Sequence, residues 1–249
     1  GANLSGANLM GAYLDQADLH DTDLSNVNLR KAILTSANLS GANLKGVNLI
    51  GANLSGADLR GADLGRAILI RSDLTKAKID KSTLDQAFVC FTESAYTNRY
   101  ECDLRGANLA DSDLTSIDLS GAILDGANLS RADLEAAHLS RSSLVATNLR
   151  NAKLTSSDLS GAILDGADLS HADLEAANLS TSSLVAANLS NAKLITAIVR
   201  QADMRGADLR GANLVAASLA YSRFDSANFS GARLISTNLV GAELAGANF

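Results

Sequence analysis

A large apolar residue returns at almost every fifth position of this chain, from Leu4 to Phe249, in one register. Fifty positions fall on that count and forty-one of them are Leu, so the spacing is a repeat and not a compositional bias. Two residues earlier stands a small residue, most often Ala. Between the two sits Asn or Asp, as in Ala2-Asn3-Leu4 and Ala207-Asp208-Leu209. A period of five matches neither the helical 3.6 nor the strand alternation of 2. It predicts a chain that turns a corner every five residues, so that four units make a coil of about twenty residues. The Leu and the Ala are expected to point inward, filling a narrow bore with one large and one small side chain per side. The other three positions are expected to face solvent.

The coil length can be tested within the sequence. Every twentieth residue from Asn8 reads Asn28, Asn48, Ile68, Phe88, Asn108, Asn128, Asn148, Asp168, Asn188, Asp208, Asn228 and Asn248. Such a column predicts stacked amides along one side of the coils. The block Gly121–Ser160 also repeats as Gly161–Arg200, identical at twenty-eight of forty positions. Forty residues are two whole coils, so the copy keeps the phase of all four sides. With coils about 4.8 Å apart, the whole chain would form a rod roughly 60 Å long. About four Leu per coil, each worth about 2 kcal/mol when buried, would stabilise it by nearest-neighbour stacking.

Tandem A-[N/D]-L-x-x units over essentially the full length resemble the pentapeptide-repeat proteins. The resemblance implies an all-β fold, a right-handed quadrilateral β-helix of about 12 coils of 20 residues, with 1–249 as a single domain. It implies little about activity.

The pattern fails once, at about 88–101. Ser94 and Arg99 occupy positions that should be buried Leu, and an Arg inside a dry bore would be very costly. Phe88, Phe91, Tyr96 and Tyr100 add four of the chain's nine aromatics. One reading is an exposed loop that binds a partner through Phe88, Phe91, Glu93, Tyr96, Arg99 and Tyr100. The other is a decayed coil. Cys90 and Cys102 bracket the segment; they either form a disulfide or serve as small hydrophobes. At the C-terminal end Phe224, Phe229 and Phe249 replace Leu, with Tyr221 outside. They read as a wider core, or as an end-to-end or C-terminal homodimer seam, since members of this family can form one there.

The surface is sided. The sides are named here by their first central residue. The Leu14 side carries Asp15, Asp73, Glu93, Asp113, Asp133, Glu135, Asp173 and Glu175 against four bases, and the Leu4 side is also acidic. The Leu9 side is the reverse, with Arg30, Lys31, Arg71, Arg131, Arg150 and Arg210 against three acids. Such charges either steer a partner or only keep the rod soluble. Ile195, Val215 and Ile235 repeat at one outward position on three successive coils, and Val145, Val185, Ile123 and Ile163 recur on another side. These are docking stripes or intercoil packing.

Function classes narrow by chemistry. A net charge of −6 argues against direct nucleic-acid binding. No apolar run reaches eighteen residues, so no membrane-spanning helix is expected. The chain starts inside a repeat and lacks an initiator Met, which reads as a fragment or processed product; a cytoplasmic location is favoured. His20, His138 and His171 are scattered at outward positions, and no catalytic, metal or cofactor constellation stands out. The leading expectation is a non-enzymatic scaffold that binds another, unidentified protein. Two alternatives are kept. One is a spacer domain of a larger protein. The other is a DNA mimic, because some members of the family bind DNA gyrase or topoisomerase IV, as inhibitors or as protectors against quinolones.

Overall fold

The computed structural model describes residues 2–70, 72–79, 87, 104–107, 109–111 and 114–249. They belong to two compact units, Gly1–Asp103 and Leu104–Phe249. In each unit the chain winds in coils of twenty residues, joined by single-residue parallel bridges between positions i and i+20. In the first unit these run from Asn3↔Asp23 to Asp58↔Lys78; in the second, from Asp118↔His138 to Asn228↔Asn248. One bridge residue per side is the shortest strand a sheet can have, because a corner follows two residues later.

The repeat Asn43-Leu44-Lys45-Gly46-Val47 shows why these residues make that corner. Leu44 N–H donates to Asp63 O in the next coil, at 2.8 Å, and Asn43 N–H to Thr22 O in the previous one, at 3.0 Å. Gly46 N–H reaches Gly65 O at 2.9 Å, while Val47 N–H closes the turn on Leu44 O at 3.1 Å. That leaves Lys45 N–H, which donates to the side-chain Oδ1 of Asn43 at 3.3 Å. All five backbone donors of the repeat are satisfied. The Asn or Asp supplies the one acceptor the backbone lacks, which is a local Asx bond of the kind that favours turns. The same bond recurs through both units, for example Ser25 N–H on Asp23 and Ser190 N–H on Asn188.

The turn places its third residue at positive φ, the geometry of a type II turn, where Gly is at ease. Gly46 has φ 63°. Many coils nonetheless hold an L residue there, including Ala136, Ala176 and Ala216 at φ 53°, 56° and 57°. The stack overrides a local backbone preference at these corners.

The bore is apolar and dry. Central Leu and preceding Ala are buried from Leu24 to Leu69 in the first unit and from Leu104 to Phe229 in the second, as the pattern predicts. Ser142, Ser157 and Ser182 take the place of Ala, and each hydroxyl donates to the carbonyl of the Leu three residues earlier, at 2.7 Å. Ser222 reaches the coil below, donating to Val199 O and accepting Ala202 N–H, so its hydroxyl is inserted into a turn hydrogen bond. A buried hydroxyl costs little when it is satisfied in this way.

Candidate functional site

With the inward residues committed to the bore, the described coils present their outward columns to solvent. Each column repeats at twenty-residue intervals, so its side chains stack directly on one another.

The first kind of column is amidic. Asn148 Nδ2 donates to Asn128 Oδ1 at 3.2 Å and Asn188 Nδ2 to Asp168 Oδ1 at 3.1 Å, which realises the expected ladder on the Leu9 side. The ladder is not confined there: Asn43 donates to Asp23 on the Leu4 side and Asn178 to Asp158 on the Leu19 side. The reason is local, since every side needs the same turn acceptor and neighbouring amides or carboxylates then meet.

The second kind is charged, with signs alternating from coil to coil. On the Leu14 side, Asp133, Lys153, Asp173 and Lys193 follow one another; Lys153 binds both Asp133 and Glu135, and Lys193 binds Asp173 at 3.0 Å. The neighbouring carboxylates hold both ammonium groups above the usual lysine range, Glu135 foremost for Lys153 and Asp173 for Lys193. On the Leu4 side, Arg223 lies 3.0 Å from Glu243 and 3.9 Å from Asp203. Within single repeats, Arg60, Arg205 and Arg210 fold back on Asp58, Asp203 and Asp208 at 2.6, 2.7 and 2.6 Å. The Arg60 hydrogen bond draws the Asp58 carboxyl down to about 2. Asp203 and Asp208 are lowered chiefly by the same kind of bond from Arg205 and Arg210. Part of the acidity counted on the Leu4 and Leu14 sides, at Asp133, Glu135, Asp173, Asp203 and Glu243, is therefore already paired within the stack.

A third arrangement has no counterpart in the expectations. Asp125 Oδ1 accepts from Ser143 Oγ at 2.6 Å and from Val145 N–H at 3.0 Å, in the next coil. Asp165 does the same with Ser183 and Val185, at 2.6 and 3.0 Å. Ser143 and Ser183 stand where Asn or Asp is usual; their hydroxyls donate to a carboxylate one coil earlier, and that carboxylate also caps the turn. The duplicated D…S-x-V spacing is the signal by which this clamp could have been found.

The sequence-selected residues divide clearly. Phe88, Phe91, Glu93, Tyr96, Arg99 and Tyr100, with Cys90 and Cys102, lie outside the described residues. Phe224 and Phe229 are buried bore residues, with ring centroids 5.2 Å apart. They are covered within their own chain, which leaves Tyr221 and Phe249 as the exposed aromatics of the suggested seam, at 57% and 61%. Phe249 stacks on Phe229 with centroids 5.0 Å apart. Ile195 and Val215 are half-buried, and Ile235 is 60% exposed. His20 hydrogen-bonds Asp18 at 2.8 Å, while His138 and His171 are exposed. Among the described residues no group of His, Cys, Asp and Glu is placed to hold a metal ion, and no helix is long and apolar enough to cross a membrane.

Comparison with known proteins follows the same pattern. The family profile described as Pentapeptide repeats matches residues 1–86, 102–180 and 182–249, leaving unmatched the segment where the five-residue count loses its Leu. No curated protein matches significantly. Among solved structures, the chain is similar to HetL, a pentapeptide repeat protein involved in heterocyst differentiation regulation from the cyanobacterium Nostoc sp. strain PCC 7120. The identity is 33%, over 98% of this chain and 89% of that one, with a TM-score of 0.28. It is also similar to Rfr23 from the cyanobacterium Cyanothece 51142, at 35% identity over 37% of this chain, with a TM-score of 0.36; the match spans 63% of that protein's length. A third is QnrB1, a plasmid-mediated fluoroquinolone resistance protein, at 16% identity over 89% of this chain and 88% of that one, with a TM-score of 0.40. With the repeat, its hydrogen bonding and the profile in agreement, the chain belongs to the pentapeptide-repeat family, whose fold is a right-handed β-helix.

Proposed function

We propose that this chain is a non-enzymatic scaffold of about twelve four-sided coils that binds a protein partner through its outward columns. The observation that carries the reading is the apolar stripe Ile195, Val215 and Ile235. The bore is already filled by Leu and Ala, so these three side chains are surplus to it, yet they recur at one outward column on successive coils. β-branched stacking accounts for part of their burial. It still leaves Ile195 and Val215 partly in water, where a polar residue would serve solubility better.

The DNA-mimic reading requires carboxylates free to face a basic groove. Asp173 and Asp203 instead have a Lys or Arg of their own, and Asp133 and Glu135 share Lys153, which ranks that reading second. The test uses the full chain as bait in a cyanobacterial extract, beside an Ile195→Glu/Ile235→Glu variant with an unchanged melting temperature. A partner held by the parent chain and lost by the variant is the expected result. Equal capture by both baits refutes the stripe as the contact. Inhibition of gyrase supercoiling, or protection from a quinolone, at micromolar protein would favour the DNA mimic instead.

A further inference from the structure

We propose that the stripe Ile195–Val215–Ile235 receives an amphipathic α-helix lying along the coil axis, with carboxylates beside its apolar seam. The proposal rests on the scaffold reading and specifies its partner. Spacing supplies the first argument. Successive coils are about 4.8 Å apart, so the three stripe residues span about 9.6 Å. Seam residues on successive turns of a helix are about 5.4 Å apart, so three of them span about 10.8 Å, two turns. The drift is about 1.2 Å, within the reach of Leu or Met side chains. Same-face residues of an extended strand are about 6.6 Å apart and drift by about 3.6 Å over the same three contacts, which breaks the register.

Charge supplies the second argument. The column beside the stripe reads Lys193, Asn213, Arg233, with no acid among the three. Lys193 is already bound to Asp173 at 3.0 Å. Arg233 is exposed and forms no ion pair among the described residues, whereas Arg205, Arg210 and Arg223 all do. The column on the other flank is Thr196, Ala216 and Ser236, which is neutral. The surface therefore asks for an apolar seam with an acid on one side. A second copy of this chain would match the spacing but not the charge. Packed antiparallel about Val215, it sets Lys193 of one copy against Arg233 of the other. Packed parallel, it leaves Arg233 facing a neutral flank.

The probe is a fluorescein-labelled helix-forming peptide with a four-residue Leu seam and Glu along one flank, beside a twin with Lys for Glu. Anisotropy with the full chain is expected to saturate for the Glu peptide and to be at least tenfold weaker for the Lys peptide. Ile235→Asp should weaken the Glu peptide at least tenfold, and Arg233→Glu should reverse the preference between peptides. Both sites are exposed, so circular dichroism should show both variants folded. Three results overturn the proposal: no saturation at millimolar protein, equal binding of the two peptides, or binding unchanged by Ile235→Asp. A dimer in sedimentation that Ile235→Asp dissolves also overturns it, in favour of a second copy. If the peptide fails while the Ile195→Glu/Ile235→Glu bait still loses its captured partner, only the helix assignment falls. If capture too is unaffected, the docking reading of the stripe falls with it.

Discussion

Replacing Asp165 by Ala removes a single acceptor on which two donors of the next coil depend, Ser183 Oγ at 2.6 Å and Val185 N–H at 3.0 Å. The Ser183 hydroxyl can turn to water. The Val185 amide is fixed in the turn and loses its acceptor. A hydrogen bond to a charged group contributes about 1.5–3 kcal/mol, and Asp165 is half-buried, so the lower end of that range applies. A loss of about 1.5 kcal/mol corresponds to about a tenfold fall in protection. Native-state amide exchange followed by NMR reads it residue by residue. Asp165→Ala is expected to cut protection at Val185 about tenfold and to leave Val145 unchanged. Asp125→Ala should do the reverse, because Asp125 caps Val145. Unchanged protection at Val185 in Asp165→Ala would show that the clamp stabilises nothing. Equal losses at both amides in either variant would show a global effect instead of a local cap.

Three further outcomes follow from the same geometry. Substituting Gly for Ala136, Ala176 and Ala216 together should stabilise the second unit, the reverse of the usual Ala-to-Gly effect. Each corner sheds about 1–2 kcal/mol of left-handed strain against about 0.5–1 kcal/mol of added chain entropy, and a thermal melt should move upward by several degrees. Lowering the pH should leave Asp58 ionised until about pH 2, because its folded pKa lies below the ordinary 3.8; the stability linked to it is present above 3.8 and is lost as pH falls through about 2. NMR titration of the carboxyl reads this directly, and Arg60→Ala should move the midpoint up toward 3.8. Leu174→Ala opens a void in a bore that has no free side chain to fill it, and should cost about 3–4 kcal/mol in urea unfolding; a cost under 1 kcal/mol would mean that the coils collapse around the gap.

The inward half of this structure was legible because the rule behind it is local. Leu44 and Val47 are buried for the same reason as every Leu and small residue at their positions, and counting in fives finds them all. The outward half was harder to read. Asn43 looks like a member of a ladder, and it is one, but its first duty is to accept Lys45 N–H, which no column count reveals. The Asp125 and Asp165 clamps join residues eighteen and twenty positions apart, so they emerge only when two coils are laid against each other. Counting acids on a side overstated their reach, because Lys153 and Lys193 belong to the same columns as the carboxylates they neutralise. Phe224 and Phe229 read from the sequence as core or as seam, and they lie buried in the bore.

The clamp also bears on how such a chain can lengthen. A coil whose donors were all satisfied by its own Asn and Asp could be copied alone by recombination and inserted anywhere in phase. The coil carrying Ser143 and Val145 would lose a cap, because its acceptor, Asp125, belongs to the coil before it. Copied singly, it would arrive with an orphaned amide. Copied with its predecessor, it brings its own acceptor, and Gly121–Ser160 and Gly161–Arg200 are such a pair of pairs. The smallest block that keeps this cap is thus forty residues, set by one carboxylate reaching one storey up.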